Sequence, residues 1–179
     1  QPQTSFNIPR RALAAAAAAG HLYVVGGMDN GNHYVAQAEY AAILPNGRLG
    51  PWHLTSSLNE PRFYLAAAAA GGYLYAIGGA NGIRGRDNLP SATVERAPIL
   101  NDGSLGRWQR VNYLNTPRRG LQAAVYQHHL YAIGGYDGAF LKSVERADLG
   151  ADGALSDWRL EAESATVDRY IHSATSLGD

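Results

Sequence analysis

Three heptapeptides constrain this chain more than any single residue does: HLYVVGG at 21–27, YLYAIGG at 73–79 and HLYAIGG at 129–135. Their glycine pairs, Gly26-Gly27, Gly78-Gly79 and Gly134-Gly135, anchor an alignment that extends in both directions. Seventeen residues before each first glycine stands a Pro-Arg: Pro9-Arg10, Pro61-Arg62 and Pro117-Arg118. Thirteen residues before each tryptophan stands a glutamate: Glu39 and Trp52, Glu95 and Trp108, Glu145 and Trp158. Length varies only between the glycine pair and the glutamate. A fixed period of about 50 residues marks a supersecondary unit that buries its apolar face by stacking on copies of itself.

The segment after each Pro-Arg poses a question of propensity. It reads LAAAAAAG at 13–20, LAAAAAGG at 65–72 and LQAAVYQH at 121–128. Alanine is the strongest helix former, so a short helix is the competing reading. Equivalent positions share a conformation, however, and the third copy carries the strand formers Val125 and Tyr126. About ten residues are also too few for a helix that stands alone. All three are expected to be strands, with alanine suited to a strand crowded on both faces, innermost in its sheet.

Each repeat then divides into four strands. Strand A is the Ala-rich segment, strand B ends in the glycine pair, strand C carries the glutamate and strand D the tryptophan. Asn46-Gly47, Asp102-Gly103 and Asp152-Gly153 are hairpin turns between C and D. Four antiparallel strands in each repeat of this length describe a blade of an all-β propeller. The blades are placed at 9–60, 61–116 and 117–167, within one domain. Residues 1–8 are expected to end a strand D of a preceding blade, and 168–179 to be strand A of a following one. Closed propellers have 4–8 blades, so the ring is expected to be incomplete in this chain. Three completions are open: a slice of a longer propeller, a ring shared between copies, or an edge docked on a partner. The sequence opens on Gln1 rather than Met, as expected of a processed, excised or incompletely represented chain.

The glycine pair closing strand B, the Val-Glu-Arg of strand C in two repeats and the single Trp of strand D resemble the kelch family of β-propellers, over essentially the whole chain. In familiar kelch repeats a Tyr follows the Glu shortly before the Trp; here only Tyr40 follows its Glu directly, and the C–D turn is Asn/Asp-Gly. The pattern is most similar to bacterial kelch-like repeats, which implies an extracellular or periplasmic protein, with the cytoplasm as the alternative. It also implies a protein, peptide or glycan ligand held on the face formed by the B–C and D–A loops.

Variable loops on that face supply the candidate binding residues: Arg11, Asp29, His33, Tyr34, Tyr64, Arg84, Arg86, Asp87, Arg119, Tyr136, Asp137 and Tyr170. The second B–C loop, with Arg84, Arg86 and Asp87, is the longest and least repeated. Residues that recur in each blade are assigned to the blade itself: the glycine pairs, the three tryptophans, Glu39, Glu95 and Glu145, and Arg10, Arg62, Arg118 and Arg169. Each of these arginines is expected to bond backbone carbonyls or a glutamate, because a buried charge requires partners.

Catalysis has little support. The chain has no cysteine, which removes disulfides, thiolate metal sites, a Cys nucleophile and the Cys-linked Tyr of kelch copper oxidases. The six histidines fall in no His-Glu-x-x-His, and neither a P-loop nor a nucleophile elbow is present. Asp102-Gly103 and Asp152-Gly153 do not match sialidase Asp boxes. No cofactor and no metal are expected. Fifteen basic and fifteen acidic residues cancel, so no electrostatic footprint for nucleic acid exists, and no apolar run is long enough for membrane insertion. The expected function is a non-enzymatic binding or scaffold module. Its alternatives are a subunit of an extracellular assembly closed by partner chains and a sugar-active enzyme similar to the sialic acid mutarotase propellers.

Overall fold

The computed structural model describes residues 4–83, 86–161 and 166–174, and for 82, 83 and 86–88 the backbone alone. All of its regular elements are strands. The first repeat contributes β1 (Arg10–Arg11), β2 (Ala14–Ala18), β3 (His21–Val25), β4 (Met28–Asp29), β5 (Ala38–Ala42) and β6 (His53–Thr55). The second contributes β7 (Ala66–Ala70), β8 (Tyr73–Ile77), β9 (Ala80–Ile83), β10 (Arg86–Pro90), β11 (Thr93–Pro98) and β12 (Gln109–Tyr113). The third contributes β13 (Gln122–Tyr126), β14 (His129–Ile133), β15 (Val144–Asp148) and β16 (Arg159–Leu160). Three four-stranded antiparallel sheets result, β2-β3-β5-β6, β7-β8-β11-β12 and β13-β14-β15-β16. The tryptophans stand one residue before β6, β12 and β16.

The alanine run is a strand, and its neighbours explain the choice. In β7, Ala66 and Ala68 pack toward the third sheet with Leu130 and Ala132. Ala67 and Ala69 pack the other way, with Ala14 and Ala16 of β2. A strand with sheets on both faces has no water-facing side, and only small side chains let three such strands converge. Tertiary crowding therefore overrides helix propensity.

Sheets stack in sequence order through repeated contacts. Trp108 packs into the apolar layer between the first and second sheets, and Trp158 into that between the second and third. Tyr23 donates its hydroxyl to the Gly103 carbonyl at 2.8 Å and Tyr75 to that of Gly153 at 2.6 Å, each reaching the C–D turn of the following blade. Burial, aided by Tyr40 and Asp102, pushes the Tyr23 phenol up to about 12. Trp52 occupies the corresponding place on the first sheet and meets Phe6 edge-on at 5.8 Å.

The glycine pairs exist because the next blade's lead-in segment touches them. Gly27, Gly79 and Gly135 donate their N–H to the carbonyls of Arg62, Arg118 and Arg169 at 2.8, 2.9 and 2.7 Å. A Cβ on Gly78 would lie 2.5 Å from the Arg118 carbonyl oxygen, at a φ of +59°. The lead-in segments also bond to one another around the inner rim. Tyr64 N–H donates to Ala12 carbonyl, Gly120 to Tyr64 and Ile171 to Gly120, at 2.8, 2.7 and 2.9 Å. All four residues have φ between +50° and +60°.

Each blade is pinned by one buried ion pair. Arg10 Nη2 lies 2.6 Å from Glu39 Oε1, and both side chains are fully buried. Arg10 Nη1 donates to the carbonyls of Gly26 and Gln37. Glu39 accepts in turn from Asn7 N–H, the Asn7 amide and Ile8 N–H. Arg62–Glu95 and Arg118–Glu145 repeat the arrangement, with Asn59 and Asn115 in the place of Asn7. Arg169 departs from this expectation. It is exposed and forms no ion pair among the described residues, because no described residue stands where Glu39, Glu95 and Glu145 stand for the others. Residues 168–174 follow the lead-in path of the earlier blades, and most of the positions aligned with β2, 173–177, where strand A was expected, lie outside the described residues. Residues 1–3 and 175–179 lie outside the described residues.

Burial opposes ionisation of Glu39, yet the Asn7 and Ile8 donors and the Arg10 charge outweigh it and hold its pKa below the ordinary 4.5. A carboxylate with a depressed pKa binds fewer protons folded than unfolded, so its contribution is present above the unfolded value and is lost as pH falls through the folded one. The urea midpoint should therefore fall as the pH drops from about 5 toward 3. Glu39→Gln should flatten that fall; parallel profiles for the two proteins would contradict the assignment.

Candidate functional site

Two sets of loops meet on one face because the backbone joins them. Arg11 pairs with Met28, and isolated bridges join Phe63 to Ala80 and Arg119 to Tyr136. Each lead-in segment is thereby fixed beside the residue that follows the glycine pair of its own blade. Lead-in and B–C loops consequently share the rim on which the four left-handed residues sit.

A continuous arc of aromatic rings lies on this rim. Tyr34 stacks on Phe63 at 4.7 Å with planes 9° apart, and Phe63 touches Tyr64 at 4.8 Å. Tyr64 faces Tyr170 at 6.2 Å, and Tyr170 lies 5.8 Å from Tyr136 and 5.7 Å from Phe140. Phe63 is buried; Phe140 is 59% exposed and the tyrosines lie between. The Arg119 guanidinium rests over the Tyr136 ring, 4.9 Å from its centroid. Burial raises the Tyr170 phenol pKa, against the pull of Arg119.

The arc gathers Tyr34, Tyr64, Arg119, Tyr136 and Tyr170 from the sequence candidates. Asp29, His33 and Asp137 bond within their own loops, and Arg11 reaches from the lead-in segment to the B–C loop. Asp29 Oδ1 accepts the N–H groups of Gly31 and His33, and its Oδ2 meets His33 Nδ1 at 3.1 Å. The His33 backbone bond leads, over a slight burial penalty, in holding the Asp29 carboxyl below the usual carboxylate range. Asp137 Oδ1 accepts the N–H of Ala139. Arg11 donates to Asn32 Oδ1 at 2.7 Å. Arg84 lies outside the described residues. Arg86 and Asp87 are described by backbone alone, and they fall in β10, which pairs with β9 as a two-stranded ribbon rather than an open loop. Phe63 and Phe140 were absent from the candidates. Phe63 occupies the position of Arg11 and Arg119, so the alignment that selected those two held the signal for it.

Two cavities help to define the site. One of about 140 Å³ lies inside the rim, lined by Tyr64, Gly120, Leu121 and His172 among others. A larger one of about 700 Å³ lies against Phe6, Leu49 and Trp52. Its tryptophan corresponds to Trp108 and Trp158, which neighbouring blades cover, so it is the open flank of a blade. Among the described residues no cluster of three or more His, Cys, Asp or Glu could hold a metal ion.

Stacked four-stranded antiparallel sheets, each clamped by its own buried Arg–Glu pair, define a propeller-type repeat protein. Residues 117–148 match the family model for the Kelch motif. The chain is 31% identical over 118 residues to kelch-like ECH-associated protein 1B of Danio rerio, covering 65% of this chain and 18% of that protein. It is 34% identical over 113 residues to the human kelch repeat and BTB domain-containing protein 13, covering 63% and 22%. It is 33% identical over 81 residues to alpha-scruin of Limulus polyphemus, covering 45% and 7%. Residues 117–148 thus carry a Kelch motif, and over 118 residues the chain is similar to a kelch-like protein. It spans less than a quarter of the length of these relatives.

Proposed function

We propose that the chain is a binding module, without catalytic activity of its own, that holds a protein partner on its aromatic rim. The carrying observation is the arc from Tyr34 to Phe140, in which half-buried rings and one parked arginine form a surface built from three blades. Aromatic and arginine side chains concentrate binding energy at interfaces. The zebrafish relative is by name ECH-associated, which supports a role in holding another molecule. A peptide segment is the finer form of this reading, and a glycan its variant.

Retention of partners from source lysate on immobilised protein tests it. Phe140→Glu should abolish retention of proteins that the wild type holds, whereas Leu100→Glu should not. Leu100 is also exposed but sits by the C–D turn, at the other end of its sheet. Equal retention by all three proteins, or loss with Leu100→Glu alone, would overturn the assignment. The open flank at Trp52 supports a second reading, in which a further blade, from a longer chain or another copy, packs there as the first blade packs on Trp108.

A further inference from the structure

Resting on the rim as the binding face, we infer that the segment from Arg169 to His172 is an acid-sensitive latch on it: protonation of His172 unseats the segment and withdraws Tyr170 from the aromatic arc. His172 stands where the other lead-in segments carry Leu13, Leu65 and Leu121, and its ring takes the place of their methyl groups. A Cβ on Gly26 would meet Leu65 Cδ2 at 2.9 Å, and one on Gly78 would meet Leu121 Cδ2 at 3.1 Å; one on Gly134 would meet His172 Cε1 at 3.0 Å. In this apolar socket both ring nitrogens are buried, with no hydrogen-bond partner among the described residues. An unpaired buried polar group is costly, and a second N–H bearing a positive charge is costlier still.

The described surroundings offer that charge no counter-ion. The cavity beside the ring, of about 140 Å³, has no carboxylate in its lining, and the Tyr64 phenol is its one ionisable neighbour there. The segment itself carries Arg169, the Tyr170 phenol and Asp168, which is exposed. The third B–C loop carries Lys142 and Asp137, whose Oδ1 accepts the Ala139 N–H. On the other lead-in segments Arg10, Arg62 and Arg118 hold their glutamates, and Glu60 holds Arg110. Arg11 donates to Asn32, and Arg119 lies over the Tyr136 ring. Of all these charges, Arg169 alone acts on the imidazole, and it repels a proton; burial first and Arg169 second hold the pKa below the ordinary 6.5. A base with a depressed pKa binds fewer protons docked than released. Docking is therefore favoured above the ordinary value and weakens as pH falls below it.

The segment is free to respond because no glutamate clamps Arg169 among the described residues. Three backbone bonds seat it: Arg169 N–H to the Leu141 carbonyl, Gly135 N–H to the Arg169 carbonyl and Ile171 N–H to the Gly120 carbonyl. Tyr170 moves with it, and its ring meets those of Tyr64, Tyr136 and Phe140, so release opens the arc at its middle.

Hydrogen exchange of the whole chain, read by NMR as protection factors at about pH 7.5 and about pH 5.5, brackets the titration of histidine and tests this. Protection of the Gly135 and Ile171 N–H groups should fall about tenfold at the lower pH, while that of β8 stays unchanged. His172→Leu, which restores the residue of the other three segments, should keep the protection at both. Retention of partners that depend on Phe140 should weaken at the lower pH in the wild type and hold in His172→Leu. Equal protection at the two pH values in the wild type, or the same loss in His172→Leu, would overturn the inference. If retention depends on Phe140 but protection holds at the lower pH, the rim stands as the binding face and the latch falls. If protection is lost through His172 but retention ignores Phe140, the latch stands and the binding face falls.

Discussion

Replacing Glu95 with alanine should lower the free energy of unfolding by about 3–5 kcal/mol, as expected when one partner of a buried ion pair is removed. The loss exceeds one contact because Glu95 serves three groups. It pairs with Arg62, whose side chain is 1% exposed, and it accepts both the N–H and the side-chain amide of Asn59. Alanine leaves a buried guanidinium with only the Gly78 and Thr93 carbonyls. It also frees the segment that leads into the second blade. Burial already disfavours the charged form of Arg62, and the nearby Glu95 is what sustains it. Urea denaturation followed by tryptophan fluorescence measures the effect. The double variant Arg62→Leu/Glu95→Leu should be less destabilised than either single alanine variant, because it removes the charge with its partner. A cost for Glu95→Ala of under about 1 kcal/mol, the range of an exposed pair, would show that the pair does not pin the blade.

Trp108→Ala should cost about 3–5 kcal/mol, the range for removing a large buried aromatic. Trp108 is 2% exposed and lies among Tyr23, Leu58 and Leu74 in the layer between the first two blades. Its indole N–H donates to the Ser56 carbonyl at 2.9 Å, so the truncation leaves both a void and an acceptor without a donor. Trp52→Ala provides the internal comparison. Its indole also donates to a carbonyl, that of Thr4 at 3.0 Å, but it is covered by Phe6 rather than by a neighbouring sheet. The smaller void it leaves should cost about half as much. Equal costs at the two positions would mean that stacking between blades contributes little beyond packing within each blade.

The fold was legible because its punctuation is repeated. The glycine pairs, the Pro-Arg, the glutamate and the tryptophan recur at fixed distances, and the first three bond to one another: Arg10 with Glu39, Gly27 with the Arg62 carbonyl. The alanine strand could be read only by alignment, since its own residues favour helix and the decisive neighbours lie about 50 residues away. The rim was less legible. Arg119, Tyr136 and Tyr170 were selected for loop position, and their convergence depends on backbone bridges that no local pattern encodes. Asp29 and Asp137 looked like ligand contacts because acidic loop residues often are; here they shape turns by accepting N–H groups within two to four residues. Phe63 was not among the candidates although it shares the position of Arg11 and Arg119; it is buried, yet it is the platform on which Tyr34 stacks.

The bonds between lead-in segments have a direction. Tyr64 reaches back to Ala12, Gly120 to Tyr64 and Ile171 to Gly120, always from a later N–H to an earlier carbonyl. Each blade thus carries one plug and one socket on its peptide backbone, and neither depends on the side chain attached. Alanine, tyrosine, glycine and isoleucine all occupy the coupling without altering it. Spacing along the rim is consequently set by a backbone chassis that accepts different side chains, except where a neighbour intrudes, as the Tyr170 ring does on Gly120. A chain built this way can change its cargo without being re-engineered to stand.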